Sequence, residues 1–114
     1  MTDLTKKKCV PCEGGLIPFD VSEIHKYQKK VDGWDVIKKE NNIFFLFKKF
    51  NFKNFLDSQK FINNVSKISE DEGHHPDISF GLGYAEIKIT THAIEGLSEN
   101  DFILAAKIDQ LINV

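Results

Sequence analysis

Residues 61–92 read FINNVSKISEDEGHHPDISFGLGYAEIKITTH, and the apolar period changes inside this stretch. Phe61, Ile62, Val65 and Ile68 fall at i, i+1, i+4 and i+7, one face of an α-helix that the pattern extends over Lys53 to Glu72. Gly73 stands where a left-handed helix cap belongs, and Pro76 prevents continuation. Beyond it Ile78, Phe80 and Leu82 alternate, as do Ala85, Ile87 and Ile89, which predicts two strands around Gly81 and Gly83. A helix followed by an antiparallel hairpin is the unit from which the rest of the chain is read.

The same kind of unit occurs upstream. Asp20-x-x-Glu23 is a capping-box variant, Ile24, Tyr27 and Val31 follow at helical spacing, and Gly33 supplies a stop, giving a helix over roughly 21–31. Trp34 to Glu40 is β-prone, and Asn41-Asn42 suits a tight turn. Ile43-Phe44-Phe45-Leu46-Phe47 predicts a second strand reaching Phe50 or Phe52. Five consecutive apolar residues suggest cover on both faces, with a neighbouring subunit expected to supply one of them. Downstream, Ser98-x-x-Asp101 opens a last helix whose expected core face is Leu104, Ala105, Ile108, Leu111 and Ile112. The order is α-β-β-α-β-β-α. It implies an α+β, two-layer domain with a four-stranded antiparallel sheet and three helices on one face. Residues 1–19, with Pro11, Gly14, Gly15 and Pro18, read as an irregular N-terminal arm, and 20–114 as a single domain.

Composition narrows the functional classes. The chain has 114 residues, a formal net charge of −2, and 15 basic residues that are all Lys. A balanced charge argues against a dedicated nucleic-acid binder. Without Arg there is no bidentate guanidinium clamp for phosphate or carboxylate. No apolar run approaches the ~20 residues of a membrane span. The polar Met1 to Lys8 does not resemble a signal peptide, and two cysteines build no disulfide framework, so a cytoplasmic location is expected.

The chemistry concentrates in Glu70-Asp71-Glu72-Gly73-His74-His75-Pro76 and in His92, at the end of the last strand. A helix C-terminus and nearby carboxylates both favour imidazolium. Pro76 drives His75 towards an extended conformation. Two imidazoles on a rigid loop suit general acid–base work near neutrality; equally, the pair could merely cap the helix and meet solvent. Glu70, His74, His75 and His92 are also zinc-ligand types, but adjacent histidines rarely converge on one ion and no H-x-H or H-E-x-x-H spacing is present. Cys9-Val-Pro-Cys12 lacks a second C-x-x-C, and reads most simply as two reduced thiols. His25 reads as a surface residue.

Glu70-x-x-x-His74-His75-Pro76, then Thr91-His92, then Gly96-Leu97-Ser98-x-x-Asp101 resembles the pterin-4a-carbinolamine dehydratase family. The 16-residue step from Pro76 to His92 fits without a gap, as do Gly33-Trp34, Phe50-x-Phe52-x-x-Phe55 and Ala105-Ala106. The resemblance implies dehydration of 4a-hydroxytetrahydropterin to quinonoid dihydropterin, which recycles the pterin cofactor of aromatic amino acid hydroxylases. It implies no metal and no cofactor, and a homo-oligomer, dimer or tetramer. It makes His74 and His92 general acids on the two faces of the pterin, with His75 mainly binding it. Glu70 would orient or charge-stabilise a histidine. Gly73, Pro76, Thr90 and Thr91 would flank the ring, and Asp101 would cap the last helix with a supporting role behind the site. Where the family usually carries an aromatic residue six positions after the proline, this chain has Leu82, with Tyr84 two residues on. Two rival readings follow: a protein-interaction module, since animal relatives act as dimerisation partners of a transcription factor, and a metal-binding protein using Cys9, Cys12 and the histidines.

Overall fold

A computed structural model describes residues 4–9, 17–39 and 43–112. The expected Asn41-Asn42 turn, and Cys12, lie outside the described residues. After a 3₁₀ turn at Leu4–Lys6 come α1 (Val21–Gln28), β1 (Asp35–Lys38), β2 (Phe44–Asn51), α2 (Phe55–Glu72), β3 (Asp77–Gly81), β4 (Tyr84–Ile89), a 3₁₀ turn at His92–Ile94 and α3 (Glu99–Gln110). The strands form one antiparallel sheet in the order β1-β2-β4-β3. The architecture is the α-β-β-α-β-β-α, two-layer α+β arrangement expected.

Helix starts follow their caps. Asp20 accepts the Glu23 N–H, Asn54 accepts the Asp57 N–H, and Ser98 with Asp101 closes a capping box. Gly73 takes φ +65°, the left-handed cap, ending α2 where expected. α1 stops at Gln28, short of Val31, which is buried all the same; Gly33 is left-handed (φ +76°) but lies in the loop to β1 and does not cap the helix.

The register separates two sheet faces. Leu46 and Phe50 on β2 pair with Ile89 and Ala85 on β4, and all four are buried beneath the helices. Helix α2 lies against β3 and β4, and α3 packs beside α2. From Asn100 to Ala106, α3 is buried on every side, because α1 and the Leu4–Lys6 turn cover what α2 leaves open. Leu4 is only 2% exposed, so the start of the arm is docked and part of the core. Truncating Phe102, at the centre of this packing, would cost roughly 3–5 kcal/mol. At the far edge Trp34 Nε1 donates to Asp109, which also accepts from Lys48 Nζ at 2.9 Å, pinning β1 and β2 to α3. Burial raises the Asp109 carboxyl above its ordinary value, against the pull of Lys48 and Trp34.

Three local expectations change. Ile112 is 46% exposed, since α3 ends at Gln110 before its spacing reaches the core. Leu82 is not a strand residue: with Gly83 at φ +81°, Leu82-Gly83 is the two-residue hairpin turn between the paired Gly81 and Tyr84, leaving Leu82 76% exposed. Phe45, on the face away from the helices, is 9% exposed within a single chain, because Lys39 and Lys88 lay their ammonium groups over its ring. Cover of that ring therefore needs no neighbouring subunit.

Candidate active site

Strand pairing brings the predicted residues to one end of the sheet. Asp77, the first residue of β3, is opposite Lys88 near the end of β4, so His75-Pro76 entering β3 and Thr90 to His92 leaving β4 share that end. The other end of the hairpin carries Leu82 and Tyr84. Five strand residues at ~3.3 Å each separate the two ends by on the order of 17 Å. Neither Leu82 nor Tyr84 can stack on a ring held by the histidines of its own chain.

The two adjacent histidines diverge. At the end of α2, Ser69 O accepts the His74 N–H and Glu70 O accepts the Gly73 N–H, a closure that turns His74 inward. His74 is 8% exposed, and its Nε2 lies 2.7 Å from Oδ1 of Asp101, which is fully buried. The other carboxylate oxygen, Oδ2, accepts the Thr91 hydroxyl and the Ser98 N–H, each at 2.8 Å. A carboxylate is acceptor-only, so His74 Nε2 carries the proton in this bond and Nδ1 is the nitrogen left to meet a substrate. His75 points the opposite way, and its Nε2 meets Glu70 Oε1 at 2.6 Å in an exposed pair.

His92 opens the short 3₁₀ turn after β4 and is exposed. Its loop is closed by reciprocal backbone bonds between Thr91 and Gly96, and Glu95 takes a left-handed φ of 51° to close it. Thr90 donates its hydroxyl proton to the carbonyl of Phe44 or of Gly96. Thr91 is 2% exposed with its hydroxyl committed to Asp101, so it supports His74 from behind rather than facing a ligand. Gly73 is exposed and Pro76 half-buried at the same end of the sheet.

Behind the site lies a brace that the sequence does not advertise. Glu72, one residue before Gly73, accepts from Lys107 on α3 and from the Cys9 backbone N–H. Burial works against ionisation of Glu72, but the bonds from Lys107 and Cys9 prevail and hold its carboxyl below the ordinary range. Cys9 also places its thiol against the carbonyl of Asn100, the neighbour of Asp101, and burial pushes that thiol up to about 12. Among the described residues no three His, Cys, Asp or Glu side chains come together in a group able to hold a metal ion, and no helix is long and apolar enough to cross a membrane.

A buried carboxylate orienting one imidazole, with a second imidazole at the same sheet end of a small α+β scaffold, is an arrangement chemically able to move protons. The chain belongs to the pterin 4 alpha carbinolamine dehydratase family, whose model matches residues 17–111. It is 47% identical over 108 residues to a protein of Halorhodospira halophila provisionally named pterin-4-alpha-carbinolamine dehydratase, covering 95% of this chain and 96% of that one. A similarly named protein of Rickettsia canadensis is 44% identical over 113 residues, covering 98% of this chain and all of the other. Among solved structures, the fold matches the transcriptional coactivator/pterin dehydratase from Brucella melitensis with a TM-score of 0.74 at 23% identity, covering 82% of this chain and 97% of that one. A pterin dehydratase-like protein described as a RuBisCO assembly factor in the alpha-carboxysome matches at 0.60 and 30% identity, over 69% of this chain and 88% of the other.

Proposed function

We propose that this protein dehydrates 4a-hydroxytetrahydropterin to quinonoid dihydropterin, recycling the pterin cofactor of aromatic amino acid hydroxylases. The observation that carries the reading is the buried His74–Asp101 hydrogen bond, at the same sheet end as His92. In the reaction the C4a–O bond breaks, the oxygen leaves as water after taking a proton, and a ring N–H gives up a proton as the C4a=N bond forms. One proton is delivered and one removed, so the total proton count of the histidines is unchanged, and proton exchange through solvent restores each ring for the next turnover. Asp101 holds His74 with Nδ1 towards the substrate, and His92 acts from the other face. His75 with Glu70 binds the ring at the rim, and Gly73, Pro76 and Thr90 flank it. General acid–base catalysis of this kind supplies ~10²–10⁴-fold. No cofactor takes part, and the protein works as a homo-oligomer, dimer or tetramer, in the cytoplasm.

A dehydratase assay on freshly generated 4a-hydroxytetrahydropterin tests this. Wild type is expected to exceed the uncatalysed rate, with most of the acceleration lost in both His74→Ala and His92→Ala. Unchanged acceleration in His74→Ala would remove the centre of the mechanism. The likeness to an assembly factor favours a second reading, an interaction module without significant turnover. Absence of any acceleration by wild type would select it.

A further inference from the structure

Two polar bridges join the end of α2 to α3, one on each side of Gly73. On one side His74 Nε2 meets Asp101 Oδ1 at 2.7 Å. On the other, Glu72 Oε2 accepts from Lys107 Nζ at 2.5 Å, and Glu72 Oε1 accepts the Cys9 N–H at 2.8 Å. The cap bonds from Gly73 and His74 to Glu70 O and Ser69 O act within α2 itself. A Cβ built on Gly73 would meet nothing within 4 Å, so no other segment packs against the hinge from that side. Placing the cap on α3 therefore falls to side chains.

We infer that Glu72 and Lys107 are positioning residues, whose ion pair fixes the end of α2 on α3 so that the His74 ring stays on Asp101 with Nδ1 free. The Glu72 and Lys107 side chains are only 6% and 14% exposed. A buried ion pair gives up hydration on both groups, so it adds little stability over apolar side chains of the same volume. What it adds is a fixed distance and direction between two atoms, where apolar surfaces can slide. Asp101 and Lys107 stand about 9 Å apart along α3, at 1.5 Å per residue. One bridge alone lets the cap pivot; a second at that distance stops the rotation. A displacement of about 1 Å takes a 2.7 Å contact out of hydrogen-bond range and can cost ~10²-fold in rate. That the positioned Nδ1 serves a dehydration rests on the function proposed above; the placement of the ring does not.

The test compares wild type with Lys107→Met and with Glu72→Gln/Lys107→Met. Methionine keeps the length and apolar stem of Lys107. The double variant also removes the charge that the single one strands, and its glutamine carbonyl can still accept the Cys9 N–H, so it is expected to fold even if the single variant does not. In nitrogen NMR of the neutral His74 ring, wild type is expected to show one tautomer, protonated on Nε2, and the double variant a mixture. In the dehydratase assay, kcat of the double variant is expected to fall about tenfold with KM within twofold. A pair that serves stability alone would lower the unfolding temperature and leave both readouts unmoved. A single tautomer in the folded double variant overturns the inference, as does an unchanged kcat where wild type is active. If neither variant folds, the pair is a structural clamp and the inference falls. Mixed tautomers without any wild-type turnover leave the positioning standing and remove the dehydratase reading; wild-type turnover with a single tautomer in the double variant does the reverse.

Discussion

His74 and Asp101, 27 positions apart, share a buried hydrogen bond of 2.7 Å, and the same carboxylate caps the helix it sits on. Asp101 thereby fixes the start of α3, the direction of the Thr91 hydroxyl and the tautomer of His74 at once. Asp101→Asn keeps the shape but puts an N–H₂ where an acceptor is needed. We expect kcat to fall about 10²-fold, because the amide no longer fixes the His74 ring and its tautomer. Stability should fall by about 1–3 kcal/mol through the damaged cap and the unpaired donors. Denaturant unfolding and steady-state kinetics read the two effects separately.

Thr91→Val tests which way that hydroxyl works. Its side chain is buried, donates to Asp101 and also meets the Ser98 hydroxyl, so the near-isosteric valine removes both bonds and opens no path to the substrate. KM is expected to stay within twofold while kcat falls about tenfold. A large rise in KM with kcat intact would instead put Thr91 against the pterin.

His75 and Glu70 form the contrasting pair. Both are largely exposed, so their short contact contributes little to folding. His75→Ala and Glu70→Gln should each change unfolding stability by less than about 0.5 kcal/mol. If His75 binds the ring, its loss appears in KM more than in kcat, and steady-state kinetics on the pair of variants decides that.

Much of this was readable before the structure, for reasons particular residues make plain. Asp20, Ser98 and Gly73 mark helix ends through local bonds, which sequence spacing reports directly, whereas the Asn54 cap that starts α2 at Phe55 rather than Lys53 was not read. The alternation of Ala85, Ile87 and Ile89 is the sheet's buried face. The His74-His75-Pro76 loop follows from a glycine cap and a proline. The Asp101 contact with His74 was not readable, because a carboxylate in a capping box reads the same whether or not its second oxygen finds a partner 27 residues away. Leu82 misled because alternation continues through a turn as easily as through a strand. The docking of Leu4 and Cys9 on α3 left no periodic trace, since one buried residue per short turn sets no period.

The Glu72–Lys107 brace has a pH signature. Its carboxyl is held below the ordinary 4.5, so its contribution is complete above that value and is lost as pH falls through the depressed one. Lys107→Gln should therefore cost about 1–3 kcal/mol near pH 7. The gap between variant and wild type should close as pH falls from 4.5 through the depressed value, below which Glu72 is neutral in both. Unfolding curves at pH 7, 5 and 3 measure the gap, and a pH-independent difference would mean that Lys107 acts through packing alone.

Cys9 carries the last expectation. Burial, helped by the Glu72 charge, raises its thiol from 9.0 to about 12. Only the thiolate is nucleophilic, so at pH 8 the reactive fraction is roughly a thousandfold below that of a free cysteine. Alkylation followed by peptide mass spectrometry should find Cys9 protected in the folded protein and labelled at an ordinary rate in denaturant. Because its N–H is tied to Glu72, Glu72→Gln should weaken that bond and speed Cys9 labelling while the fold persists. Fast labelling in the folded wild type would show that this segment leaves α3, and the brace behind His74 would then lack its third member.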